Sequence, residues 1–213
     1  MTLPKTLTSS AVTDHIIAIL TASADTPYIG EPVSQLEHSL QCAQQALNAS
    51  NPSADDETIV ATLLHDIGQF APEDELDATV RDMDSGLGSV GRYSHDKLGA
   101  RYLRVLGFPE KVCTLVGEHV NAKRYLCGVD PAYFMNLSEA SKESLRFQGG
   151  RMDSEERRLY EEALGSDVVK DVVRVRKWDD GGKVFGLEVQ GLERYRDLIR
   201  NVLEKDSKND EEE

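Results

Sequence analysis

Ile59-Val60-Ala61-Thr62-Leu63-Leu64-His65-Asp66-Ile67-Gly68 is an apolar run that ends on two ionisable side chains and a glycine. With Asp55 or Asp56 available as N-cap, it is expected to form a strongly apolar helix over Ile59–Ile67. Burying His65 and Asp66 there without partners would cost several kcal/mol. A metal ion removes that cost, because neutral imidazole and carboxylate are natural ligands. Gly68 lets backbone or ligand approach the helix end closely. A His-Asp pair alone is common; the apolar helix before it and Ile-Gly after it make this one informative.

Outward from this segment, helical signals dominate. Leu36, Leu40, Ala43 and Leu47 recur at helical spacing behind Ser34, with His38 among them. After a loose lead-in over 1–10, Asp14 is expected to cap a helix carrying Ile16, Ile17, Ile19 and Leu20. A turn-rich loop covers 25–32. Residues 71–93 read as a long polar connection rich in Asp and Gly, of the kind that often walls a site. Helices are expected from Ser94 to Leu106, stopping at Gly107, and from Pro109 to about Tyr125. Others are expected at 131–134, 138–147, 154–164, 167–179 and 192–204; only 183–189 could pass for a short strand. The expected class is all-α, one domain over 1–204 followed by a disordered acidic tail over 205–213.

Composition narrows the function. The net charge of −14 argues against a nucleic-acid partner, which would call for a basic face. No apolar run approaches the roughly 18 residues of a membrane span, and no apolar segment near the N-terminus suggests a secretory signal. Cys42, Cys113 and Cys127 have neither disulfide-type nor metal-type spacing, which favours a reducing, cytoplasmic setting. A small-molecule partner is the expectation.

His15 has only Asp14 as an acidic neighbour and receives no role. His38, His65, His95 and His119 each lie on, or at the start of, a predicted helix. A lone helical His is usually structural; four of them with Asp66 point jointly to a metal centre. Lys123 follows His119 by four residues and Arg176 precedes Asp179 by three, so each pair shares a helix face. Two cations beside metal would suit a dianionic head group. Read singly, Lys123 and Arg176 are solvated surface charges, the loop at Tyr28 an ordinary turn, and Trp178 a packing residue.

His38, His65-Asp66 and the late Asp of Arg176-Lys177-Trp178-Asp179 resemble the metal pattern of HD domains, and His95 and His119 resemble the extra histidines of dinuclear members. The closer resemblance, over residues 28–180, is to mixed-valence diiron oxygenases that cleave the carbon–phosphorus bond of 2-amino-1-hydroxyethylphosphonate and its trimethylammonium relative; myo-inositol oxygenase is a more distant cousin. The resemblance implies an HD-domain helical bundle holding two iron ions, Fe(II) and Fe(III), through His38, His65, Asp66, His95, His119 and Asp179. Tyr28-Ile29-Gly30-Glu31 matches a loop whose Tyr occupies an iron until substrate arrives and whose Glu shapes the substrate pocket. By the same resemblance Lys123, a hydroxyl of the 137–150 stretch (Ser141) and Arg176 hold the phosphonate. One position departs: Gln69 stands where the best-known member has a second His, so the amine end of the pocket is in question. Asp180 is an alternative last ligand, although the Arg176 spacing favours Asp179.

The implied activity is a dioxygenase that takes a small hydroxylated phosphonate and O2 to phosphate and a carboxylic acid. A metal-dependent phosphohydrolase would use the same ligands to make a nucleophilic water. A catalytically dead binding module would be marked by a lost ligand, and none is missing.

Overall fold

The computed structural model describes residues 8–28, 30–76, 81–84 and 89–209. Helix α3 (Asp56–Leu64) lies at its centre, and Ile59, Val60, Ala61, Leu63 and Leu64 are all buried. A helix apolar on every face needs neighbours on every side. Helices α2 (Gln35–Leu47), α6 (Glu110–Val129), α10 (Ser166–Gly181) and α11 (Arg196–Asn209) supply them. Helix α1 (Ser9–Ala22) packs on α11, and α5 (His95–Val105) packs on α6 and on the short α4 (Ile67–Phe70). Helices α7 (Pro131–Asn136), α8 (Glu139–Phe147) and α9 (Ser154–Leu164) complete the all-α bundle.

Local chemistry sets most boundaries. Ser34 and Glu37 form a reciprocal capping box at the start of α2, with hydrogen bonds of 2.7 and 3.2 Å. The amide of Thr58 donates to Asp55 Oδ1 at 2.8 Å, so Asp55 caps α3. Gly107, at φ +82°, follows the end of α5. Helix α1 begins earlier than expected because the Thr8 hydroxyl, not Asp14, accepts from a first-turn amide, that of Ala11; Asp14 lies within the helix and pairs with Arg196.

Other expectations are corrected. Residues 183–189 form no strand: both backbone groups of Val184 are taken by the Gln41 side chain, at 2.9 Å to its amide and 2.8 Å to its carbonyl, and Gly186 turns the chain at φ +69°. Within 71–93 there is regular structure, a 3-10 turn (Glu73–Glu75) and an antiparallel pair, β1 (Asp82–Asp84) with β2 (Ser89–Arg92). Helix α6 runs on past Tyr125 to Val129. Helix α11 continues to Asn209, with Lys205 paired to Asp56 at 3.2 Å, so the stretch expected to be a disordered tail begins as helix; residues 210–213 lie outside the described residues. The lead-in likewise turns helical at Ser9, and residues 1–7 lie outside. No helix among the described residues is long and apolar enough to cross a membrane.

The chain breaks where the apolar run ends. His65 is still helical, but Asp66, at φ −99° and ψ 10°, leaves the helical path before α4 starts. Gly68 then meets the first turn of α5: a Cβ there would sit 2.0 Å from the His95 carbonyl oxygen and 2.8 Å from the Gly99 nitrogen. Both obstacles are backbone, so neither can swing aside. Gly68→Ala should therefore cost about 2–3 kcal/mol and lower Tm by roughly 4–12 °C, read by thermal denaturation, with loss of metal following displacement of His95. An unchanged Tm would mean α4 and α5 are not so closely apposed.

Candidate metal centre

Six buried side chains from four helices and the break after α3 converge at one point: His38 from α2, His65 and Asp66 at the break, His95 from the first turn of α5, His119 from α6 and Asp179 from the last turn of α10. Each imidazole is oriented by the backbone. Nδ1–H donates to a carbonyl in every case: His38 to Gly182 at 2.8 Å, His65 to Thr62 at 2.8 Å, His95 to Arg92 at 3.2 Å and His119 to Val116 at 2.8 Å. A carbonyl can only accept, so the free lone pair of each neutral ring is on Nε2, facing inward.

These inward nitrogens form two pairs, His38 with His65 at 3.1 Å and His95 with His119 at 3.2 Å. Asp66 lies between them. Its Oδ2 is 3.6 and 3.5 Å from the first pair, and its Oδ1 is 3.3 and 3.6 Å from the second. Asp179 adds Oδ1 to the first pair, at 3.4 and 3.8 Å, and that buried oxygen has no hydrogen-bond partner among the described residues. Its Oδ2 is held by Arg176 at 2.6 Å. Asp180 turns instead to Tyr133 and Arg176, which separates it from the histidines.

Two lone pairs aimed at each other across about 3 Å repel unless a cation sits between them. A proton can serve, and the titration tendencies reflect that. Burial depresses His38, but Cys42 and Asp179 more than restore it, whereas burial and His95 hold His119 well below the ordinary range. Burial would raise Asp66, yet His65, His95 and His119 together hold its carboxyl far below the usual carboxylate range. A metal ion in each pair answers the same demand and also uses the orphaned Asp179 oxygen, so the donor set fits two metal ions sharing Asp66. Cys42 Sγ also approaches His38, but at 3.7 Å from Nδ1 and 3.8 Å from Nε2 it is off the Nε2 lone-pair direction. All three cysteines are free and buried.

A cleft open to solvent leads to the centre. Every residue expected at the substrate side lines it: Tyr28, Glu31, Gln69, Lys123, Ser141 and Arg176. Lys123 and Arg176 are 3% and 4% exposed, which overturns their reading as solvated surface charges. The Tyr28 ring lies 4.0 Å, centroid to centroid, from His38. Its loop closes through the Glu31 amide on the Tyr28 carbonyl at 3.1 Å, with Gly30 at φ +80°; Ile29 lies outside the described residues. A Cβ on Gly30 would be 2.6 Å from Ala140 Cβ, so this turn is pressed against α8. Gln69 accepts from the Arg92 amide at 2.7 Å and so pins β2 beside the cleft. Arg176 is more engaged than its spacing suggested, bonded to Asp179, Asp180 and Tyr133.

Gln35 and Lys183 also line the cleft and were not singled out from sequence, and Gln148 of the 137–150 stretch lines it too. Gln35 precedes His38 by three residues, a spacing that could have flagged it. Glu31, Gln35 and Gln148, all lining the cleft, each carry a buried oxygen with no hydrogen-bond partner among the described residues. His15 is elsewhere, bonded to Glu75 at 2.9 Å and Tyr102 at 2.7 Å.

The chain matches the HD domain family over residues 36–163. It is 37% identical over 194 residues to [1-hydroxy-2-(trimethylamino)ethyl]phosphonate dioxygenase (glycine-betaine-forming) of Leisingera caerulea, covering 91% of each chain. It is 38% identical over 177 residues to hydroxymethylphosphonate dioxygenase of Gimesia maris, covering 83% of this chain and 81% of that one. An uncharacterized protein of Acanthamoeba polyphaga mimivirus is 32% identical over 182 residues, covering 85% and 77%. The chain belongs to the HD-domain family, in the branch that contains these hydroxyphosphonate dioxygenases.

Asp66→Ala should empty both metal positions, since each depends on one of its oxygens, whereas Asp179→Ala should affect only the His38/His65 position. Metal per chain, measured on purified folded protein, distinguishes them; two ions retained without Asp66 would refute the shared carboxylate.

Proposed function

We propose that the protein is a diiron dioxygenase that cleaves the carbon–phosphorus bond of a small 1-hydroxyphosphonate of the 2-amino-1-hydroxyethylphosphonate type. The observation that carries the dinuclear part of this reading is Asp66, with one oxygen toward each histidine pair; what favours oxygen chemistry over hydrolysis on the same ligands is the cleft wall and the relatives. The dioxygenase relatives and the Tyr28–Glu31 loop at the cleft support it. The reaction balances as hydroxyphosphonate plus O2 giving carboxylic acid plus phosphate, one oxygen atom entering each product. Mixed-valence iron, Fe(II)/Fe(III), bound between the histidine pairs would supply the one-electron chemistry that brings O2 into reaction.

The protein's own residues bind and orient. His38, His65, Asp66 and Asp179 would hold one iron, and His95, His119 and Asp66 the other. Lys123, which donates to Ser144 at 2.9 Å, would meet the phosphonate together with Ser141 and the two guanidinium N–H groups of Arg176 that have no partner among the described residues. Arg176 also keeps Asp179 Oδ2 engaged, so that Oδ1 faces the centre. Tyr28 would cover the first iron until substrate displaces it, and Glu31, with its unpartnered oxygen, would receive a donor on the substrate substituent. Gln69 would shape that end of the pocket without titrating. Residues 1–204 would act as a single domain.

Oxygen uptake with a panel of hydroxyphosphonates tests the activity. Stoichiometric release of phosphate with O2 consumption is expected; anaerobic phosphate release from a phosphate ester, with no oxygen used, would instead identify a phosphohydrolase. Burial, with Arg176 nearby, pushes Lys123 down to about 7. Above that pH the unliganded Lys123 side chain is largely the neutral amine, and a bound dianion restores its charged ammonium form. Anaerobic binding of a hydroxyphosphonate at pH 8 should therefore take up a proton, and affinity should fall as pH rises. Titration calorimetry in buffers of different ionisation heat reads the uptake, which should vanish in Lys123→Met; persistence there would remove Lys123 from the site.

A further inference from the structure

We infer that Lys183 is a second substrate-binding ammonium, which shares the charge of the phosphonate with Lys123; this rests on the proposed reading of the cleft. The three cations around the cleft are not equivalent. Arg176 is already matched by the carboxylates of Asp179 and Asp180. Lys123 and Lys183 have no carboxylate partner among the described residues. Lys123 Nζ donates to Ser144 Oγ at 2.9 Å, and Lys183 Nζ donates to Ser141 Oγ at 3.3 Å. Ser141 and Ser144 are one turn apart on α8, so two ammonium groups and two hydroxyls flank the same wall. A phosphonate dianion carries two charges and three acceptor oxygens, which suits two uncompensated cations and hydroxyl donors.

The backbone holds Lys183 in place. The Gly182 carbonyl accepts from His38 Nδ1 at 2.8 Å, and both backbone groups of Val184 are bonded to Gln41. A Cβ on Gly182 would lie 2.3 Å from Cys42 Sγ, so this segment rests directly on α2. Lys183 is thereby fixed between a metal-side histidine and a glutamine, at the spacing from Asp179 that Lys123 has from His119. Its Nζ is 5.6 Å from the Tyr28 ring centroid, beside the group that substrate would displace.

The test is anaerobic binding of hydroxymethylphosphonate, glycolate and inorganic phosphate to the metal-loaded protein, compared for wild type, Lys183→Met and Lys183→Arg, with Tm and metal content measured for each. Lys183→Met is expected to weaken hydroxymethylphosphonate and phosphate by about 10- to 100-fold and glycolate, a monoanion, by much less. Lys183→Arg should recover most of the loss, with metal content unchanged throughout. Phosphonate affinity within twofold of wild type in Lys183→Met would overturn the assignment, as would equal losses for phosphonate and glycolate. Failure of the wild type to bind either phosphonate or phosphate would overturn it too. If the wild type binds hydroxymethylphosphonate but no hydroxyphosphonate elicits oxygen uptake, the oxygenase reading falls, and the Lys183→Met comparison still decides this one.

Discussion

One carboxylate set between two pairs of imidazoles governs the architecture. Asp66 can face both pairs only because the chain leaves the helical path there, after an apolar helix that the rest of the bundle surrounds. The absence of a side chain on Gly68 then admits the first turn of α5, which carries His95. Remove the break or the close approach and the second histidine pair loses its shared oxygen. Fold and site are therefore the same packing problem: the most buried helix of the bundle ends in its most polar point.

Placing so many ionisable groups in the interior is costly unless each has a partner. The protein meets this requirement in layers. Backbone carbonyls orient the four imidazoles, Asp66 and Asp179 offer them negative charge, and Arg176 balances Asp179 and Asp180. Four of the buried polar atoms left without a partner among the described residues belong to residues that line the cleft, one on each of Asp179, Glu31, Gln35 and Gln148; the others, on Ser39, Glu75, Tyr160 and Tyr195, lie elsewhere. On the proposed reading, the four at the cleft are where metal and substrate would complete the interior.

The HD scaffold explains why ligands alone do not separate oxygen chemistry from hydrolysis, since the same nitrogens and oxygens serve both. The difference lies in the walls. The Tyr28–Glu31 turn is pressed onto α8 by Gly30, and α8 presents Ser141 and Ser144 to the basic side of the cleft. These contacts link a loop before α2, a helix late in the chain and the segment after α10. The HD match itself ends at residue 163, short of Asp179, Arg176 and Lys183.

Much of this could be read along the chain where near neighbours carry the signal. The caps at Ser34 and Asp55, the apolar run into His65-Asp66-Ile67-Gly68, and the four-residue step from His119 to Lys123 all act within a turn or two of helix, so spacing alone exposes them. Local rules misled where a distant group intervened: Gln41 takes the backbone of Val184 and removes a strand, and Asp180 engages an arginine that spacing had offered to substrate alone. The pairing of His38 with His65, the free oxygen of Asp179 and the fixing of Gly182 by His38 join residues up to 144 positions apart. Residue types and periods along the chain determined which side chains were available for metal and anion; only packing of the helices around α3 decided which atoms face one another, because lone-pair direction and charge compensation exist only between groups already brought within a few ångströms.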